Sequence, residues 1–249
     1  MRISQTLAVI GSLQFGLSGP HDCHMYALQG EDGVVVVDSG AGTHTQQVLQ
    51  NLHLDFAATE VVALLITHGH MDHCGGAPEI RRCTGCKVVA PELSRKTLQN
   101  ADEELSGLRA ARAQGLYSAD VRMAPCPVDL GVGDGQRFSI AGLDFTAIHV
   151  RGHSPDSHCY LVRSREGTWL FAGDVVFYGG VLGVINAEGS GMEGYRSDIH
   201  KLSGLDVNGL FPGHGLFTVR EGQRHVDCAI EQAQKGFVSR QIGQGDLIF

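Results

Sequence analysis

The sequence predicts an α/β protein built as a layered sandwich rather than as one doubly wound sheet. Apolar runs of strand length come in two groups, with helical periodicity between and after them. Each group repeats a theme. A strand ends in Asp (Val34–Asp38, Trp169–Asp174), and a later strand ends beside His (Leu64–His68, Leu210–His214). Aliphatic, aromatic and cysteine residues make up 43% of the 249 positions, enough for a buried core and unlike a disordered chain.

Taken in order, strands are expected at Thr6–Phe15, His24–Leu28, Val34–Val37, Val61–Ile66 and Lys87–Val89. A second set is expected at Arg137–Ile140, Leu143–His149, Cys159–Val162, Trp169–Phe171 and Leu210–Phe211. Thr43 and Gln46 have capping-box spacing ahead of a helix carrying Val48, Leu49 and Leu52. Near the end, Val219, Val226, Ile230 and Ala233 fall on one helical face. Leu98, Ala101, Leu105 and Leu108 recur at helical spacing, so 92–117 reads as an amphipathic helical insertion near the mouth of the site, either packing or acting as a lid. No composition break divides the chain, and 1–249 reads as one domain.

The formal charge of −8 argues against nucleic acid as a partner, since that binding needs a basic footprint. No apolar run reaches the ~20 residues of a membrane span. The segment around Leu7-Ala8-Val9-Ile10 reads as a first strand rather than a signal peptide, because Gln5, Ser12 and Gln14 interrupt it. Seven cysteines, an odd number in a chain too large to need stapling, predict reduced thiols and a cytoplasmic protein. Cys83 and Cys86 read as ordinary thiols at a helix-to-strand turn, with a redox or metal role as the alternative.

Chemistry concentrates in Thr67-His68-Gly69-His70-Met71-Asp72-His73-Cys74-Gly75-Gly76. In extended backbone, residues i and i+2 point the same way, so His68 and His70 present their imidazoles together. Asp72 keeps that parity, and His73 projects elsewhere once the chain turns into a helix at Gly75-Gly76. Such a crowd of imidazole and carboxylate groups suits divalent zinc, iron or manganese. His153, Asp174 and His214 each follow a predicted strand, the position where α/β folds assemble sites. His149 reads as a strand-end or supporting group. Structural roles are favoured for His21, His24 and His158, and solvent exposure for His44, His53, His200 and His225.

The ordered set His68, His70, Asp72, His73, His153, Asp174, His214 resembles the metallo-β-lactamase-fold hydrolase superfamily, and Asp38 matches that family's supporting aspartate. The resemblance implies a four-layer αβ/βα sandwich with two divalent metal ions, zinc favoured and iron or manganese accepted. It assigns His68, His70 and His153 to one ion and Asp72, His73 and His214 to the other, with Asp174 bridging. A metal-bridging hydroxide would then attack an ester-like bond (lactone, thioester or carboxylic ester) of a small molecule. Asp72 is the first choice for proton handling, and Tyr178, four residues past Asp174, for a hydrogen bond to the oxyanion.

The bridging carboxylate favours branches resembling glyoxalase II thioesterases and acyl-homoserine lactonases. Phe177 stands where the lactonases place their assisting tyrosine. Arg220, Arg224, Lys235 and Arg240 are the basic residues after His214, in a short tail for glutathione recognition. A small-molecule phosphodiesterase, a β-lactam hydrolase, a mononuclear-iron dioxygenase and a non-catalytic metal-binding protein are the alternatives, and a homodimer stays open. Specificity is expected to sit in Glu92–Tyr117 and Phe177–Gly191.

Overall fold

A computed structural model describes residues 1–56 and 60–235. The chain divides into two compact units. The first comprises Met1–Val132 with Ile140–Gly142, and the second Gly133–Ser139 with the described residues from Leu143 onward.

The first unit is built on a six-stranded sheet in sequence order: β1 (Leu7–Gly11), β2 (Met25–Gln29), β3 (Val34–Val37), β4 (Val61–Leu65), β5 (Lys87–Pro91) and β6 (Leu130–Val132). The first three strands pair antiparallel and the last four parallel. Side chains alternate across a strand. One face therefore gathers Ala8, Ile10, Met25, Ala27, Val34, Val36, Leu64, Ile66, Val88 and Ala90 into a single core. Helices α1 (Thr45–Asp55) and, beyond the one-turn α2 (Met71–Cys74), α3 (Ala77–Thr84) add Val48, Leu52, Ala77 and Ile80 to that core. Burying each such aliphatic side chain contributes about 1.5–3 kcal/mol. Gly85, at φ 73°, ends α3 in the left-handed conformation and donates its N–H to Arg81 O at 2.8 Å.

The segment expected as one amphipathic helix is instead broken in two: α4 (Arg95–Asn100) and α5 (Leu108–Ala113). Ala101 takes φ 51°, which no helix interior tolerates. The Asp102 carboxylate then accepts the N–H groups of Glu104 and Leu105, a local turn that competes with helix. Leu98 and Leu108 are buried as the periodicity implies, whereas Leu105 points into solvent.

The second unit holds a five-stranded sheet made of β7 (Arg137–Ile140), β8 (Leu143–His149), β9 (His158–Ser164), β10 (Gly167–Gly173) and β13 (Gly209–Pro212), in the order β13-β10-β9-β8-β7. A small hairpin, β11 (Val176–Phe177) and β12 (Val181–Leu182), and helices α6 (Met192–Asp198) and α7 (Gly222–Gln234) complete it. Leu161, Leu170, Ala172 and Leu210 share a core with Tyr195 of α6 and with Val226, Ala229 and Ala233 of α7.

Several boundaries differ from expectation. The first strand stops at Gly11 because the Ser12 hydroxyl accepts the Phe15 N–H and folds the chain into a turn. The capping box does not form. His44 is the N-cap of α1 without a side-chain bond, the Thr43 hydroxyl meets the His44 ring, and Gln46 donates to Glu79. Val219 precedes α7 rather than joining its buried face, because its neighbour Thr218 bridges Leu210 in extended conformation. Strands β6, β11 and β12, two or three residues each, are too short to leave a period in the sequence. Among the described residues, no helix is long and apolar enough to cross a membrane.

Candidate metal centre

In the first unit the ligand loop follows β4. Asp38, directly after β3 and in the left-handed region at φ 61°, is its anchor. Its carboxylate accepts the Thr67 N–H at 2.8 Å, the Thr67 hydroxyl at 2.9 Å and His73 Nδ1–H at 2.9 Å. The Ser39 N–H and hydroxyl both donate to His73 O at 2.8 Å. From the far side, the Cys23 N–H reaches Asp72 O at 3.5 Å and the Met71 N–H reaches Ser106 O at 3.1 Å. The loop is therefore clamped by the residues that follow β3, by the loop that leads into β2 and by the segment between α4 and α5.

All four predicted residues of this unit converge. His68 Nε2 lies 3.0 Å from His70 Nδ1, the His68 and His73 rings are 4.1 Å apart, and His73 Nε2 is 3.6 Å from Asp72 Oδ2. His68 and His73 are buried, and His70 and Asp72 half-buried. The pairing of His68 with His70 is as expected from strand parity. Asp72 differs: the helical turn α2 begins at Met71, ahead of Gly75-Gly76, so Asp72 does not lie in extended chain, and His73 projects from the same turn.

In the second unit His153, Asp174 and His214 also meet. Asp174 follows β10 and His214 follows β13, its parallel neighbour, and the Gly213 N–H ties the two ends to Gly173 O at 2.7 Å. Asp174 Oδ2 stands 3.5 Å from both His153 Nε2 and His214 Nε2. Beneath them lies a support that nothing local in the sequence reveals. His153 Nδ1–H donates to Gly183 O at 2.6 Å, the Gly183 N–H donates to the buried Tyr195 hydroxyl at 3.0 Å, and that hydroxyl donates to Asp174 O at 3.3 Å. Thr67 is the other residue sequence reasoning passed over; its place directly before the first histidine was the available signal.

Tautomers follow from these bonds. Thr67 donates to Asp38, so its oxygen accepts from His68 Nδ1–H at 3.0 Å, leaving the lone pair on His68 Nε2. His73 and His153 likewise use Nδ1–H on an oxygen acceptor and turn an Nε2 lone pair toward a carboxylate. Two acceptors facing each other at 3.5–3.6 Å call for a positive charge between them. Ligands about 2.0–2.1 Å from a tetrahedral zinc ion stand about 3.3–3.4 Å apart, so these donors fit a first-row divalent ion. The supporting hydrogen bonds are of the kind that orient such ligands.

The remaining candidates fall outside these clusters. Tyr178 is exposed on the turn after β11. Its ring packs 4.2 Å from that of His225, which accepts the Gly179 N–H, and its hydroxyl has no hydrogen bond among the described residues. His24 is buried against Phe15 and bonded to Ser12, a structural role as expected. His149, the last residue of β8, stacks on His158 at 4.7 Å. Burial pulls the His158 imidazole down to about 4. Cys83 and Cys86 are free thiols, the first exposed at the end of α3 and the second buried before β5. Arg240 lies outside the described residues.

Each of the two α/β units ends its strands in a cluster of imidazole and carboxylate donors of the kind that could hold a metal ion. The profile of the metallo-beta-lactamase superfamily matches residues 18–214, and the chain belongs to that superfamily. It is 29% identical over 202 residues to an atrochrysone carboxyl ACP thioesterase of Aspergillus fumigatus, a match covering 81% of this chain and 53% of that protein. The chain thus spans about half the length of that relative. It is 28% identical over 211 residues to a hydroxyacylglutathione hydrolase of a Marinomonas species, covering 82% of this chain and 65% of that enzyme. Among solved structures, a metallo-beta-lactamase family protein of Thermus thermophilus superimposes with a TM-score of 0.69 at 18% identity, covering 94% of this chain and 81% of that one. The fold is therefore the metallo-β-lactamase fold.

Proposed function

We propose that this protein hydrolyses an ester-like bond of a small molecule, with a thioester as the first candidate and a lactone or carboxylic ester next. His68, His70, Asp72 and His73 of the first unit and His153, Asp174 and His214 of the second are the residues that would hold two divalent ions, zinc first. One observation carries the reading: Asp174 Oδ2 stands 3.5 Å from two imidazole Nε2 atoms, one of them fixed as a lone-pair donor. This placement supports Asp174 as a metal ligand alongside both imidazoles. Superfamily membership and relatives named as a thioesterase and a hydroxyacylglutathione hydrolase support the choice of bond.

When bound, such ions polarise a carbonyl oxygen and lower the pKa of water. The chain's own residues then have distinct tasks. Asp38, Thr67 and Gly183 fix the tautomers of His73, His68 and His153. Asp72, half-buried at the start of α2, is the carboxylate able to take and return a proton.

The test is metal content by mass spectrometry together with hydrolysis of a panel containing a thioester, a lactone, a p-nitrophenyl ester, a phosphodiester and a β-lactam. Two metal equivalents and turnover of the ester-like members are expected, and both should be lost in His68→Ala and Asp174→Ala with the fold retained. Full activity in chelator-treated, metal-free protein would refute the proposal, and turnover confined to the phosphodiester or β-lactam would replace the bond assigned.

A further inference from the structure

Tyr117 sits at the end of the segment that follows α5, within the first unit. Its ring is 8% exposed and lies 4.5 Å from the ring of His21, which is itself held at φ 73°. Two residues on from His21, the Cys23 N–H donates to Asp72 O, and the Tyr117 segment is tied to the same ligand loop through Ser106 O and the Met71 N–H. Arg112 of α5 pairs with Glu103 and donates to Val121 O, which pins the chain on either side of Tyr117. The ring is thus held against His21, and the segments on either side of the pair are hydrogen-bonded to the loop that carries Asp72.

Its hydroxyl is the unusual feature. A tyrosine buried to this degree ordinarily gives its O–H to a protein acceptor. Here the hydroxyl has no hydrogen bond to any described residue, and it is not among the polar atoms sealed from solvent. The nearby acceptor Asp22 is engaged elsewhere, by the N–H groups of Gly19 and Ala41. Burial pushes the phenol above its ordinary range. It remains a neutral O–H donor throughout the pH range in which hydrolysis would be measured.

We propose that Tyr117 is a catalytic residue whose phenol O–H donates a hydrogen bond to a substrate oxygen beside Asp72, the carbonyl oxygen before reaction and a carboxylate oxygen of the product after it. The assignment rests on the hydrolase reading above and gives the oxyanion-donor role to a residue other than Tyr178. Removing one such donor typically lowers kcat by 10²-fold or more, and by less where other groups share the oxyanion.

The experiment uses the metal-loaded full chain and compares wild type, Tyr117→Phe and Tyr178→Phe. The measurements are p-nitrophenyl butyrate hydrolysis, butyrate binding by calorimetry, metal content and Tm. Tyr117→Phe is expected to keep its metal and Tm, because the lost hydroxyl has no hydrogen-bond partner among the described residues. Its kcat should fall about 10- to 100-fold and its butyrate Kd should rise about 5- to 10-fold. Unchanged kcat and Kd in Tyr117→Phe, or losses confined to Tyr178→Phe, overturn the assignment while leaving the hydrolase reading intact. A metal-loaded wild type that hydrolyses no ester-like substrate overturns the hydrolase reading instead, and this assignment falls with it.

Discussion

Asp38→Asn separates the stability of the ligand loop from its affinity for metal. Asp38 accepts three hydrogen bonds, two from Thr67 and one from His73. Asparagine is nearly the same shape and tolerates the left-handed backbone that Asp38 adopts at φ 61°. Its amide oxygen can keep the Thr67 N–H, but its NH₂ then replaces the oxygen that faced the Thr67 hydroxyl and His73 Nδ1. The hydroxyl can rotate and accept. His73 can relieve the clash of two donors only by moving its proton to Nε2, the nitrogen expected to bind metal. The metal-free protein should therefore lose only about 1 kcal/mol, the difference between a charged and a neutral acceptor. Zinc affinity should fall about 10- to 100-fold, the usual effect of removing an outer partner of a ligating histidine. Asp38→Ala strands three buried donors at about 1–3 kcal/mol each and places a Cβ-bearing residue with no side-chain acceptor at positive φ, so it should lose both stability and affinity. Urea unfolding of metal-free protein gives the first quantity, and competition with a chromophoric chelator gives the second. Asp38→Asn binding zinc as wild type does, or destabilised as much as Asp38→Ala, would show that tautomer control by Asp38 is not how the loop works.

Two further outcomes follow from the second unit. A Cβ at Gly183 would stand 1.9 Å from Asp174 O and 3.1 Å from His153 Nδ1, so Gly183→Ala must push apart the groups that orient both ligands. We expect about 1–3 kcal/mol of destabilisation and a lower metal content; normal metal loading would mean that the Gly183 carbonyl is dispensable. His158, held near 4 against about 6.5 in the unfolded chain, binds its proton more weakly when folded. The unfolded state therefore takes up more protons between those values. Stability is full above about pH 6.5 and lost as pH falls toward 4, by about 3 kcal/mol in all. His158→Phe should remove close to one proton from the pH dependence of unfolding in that window, and an unchanged slope would assign the titration elsewhere.

The sequence by itself located the candidate ligands. The H-x-H-x-D-H run, Asp174 and His214 are legible because each sits at the end of an apolar strand, and strand parity alone predicts that His68 and His70 meet. It also determined most of the strands, since Val34–Val37, Arg137–Ile140 and Leu143–His149 match the structure residue for residue. It misplaced Asp72 in extended chain by starting the helical turn too late, and it read one helix across Ala101, because a single backbone reversal leaves no mark on a hydrophobic period. Only the tertiary structure decided which nitrogen of each histidine is left to bind. Those choices depend on contacts such as Asp38 with His73, His153 with Gly183 and Tyr195 with Asp174, made between residues 35, 30 and 21 positions apart. Periodicity reports which face of an element is buried, but a hydrogen bond between distant segments exists only once the chain has brought its donor and acceptor within about 3 Å and aligned them.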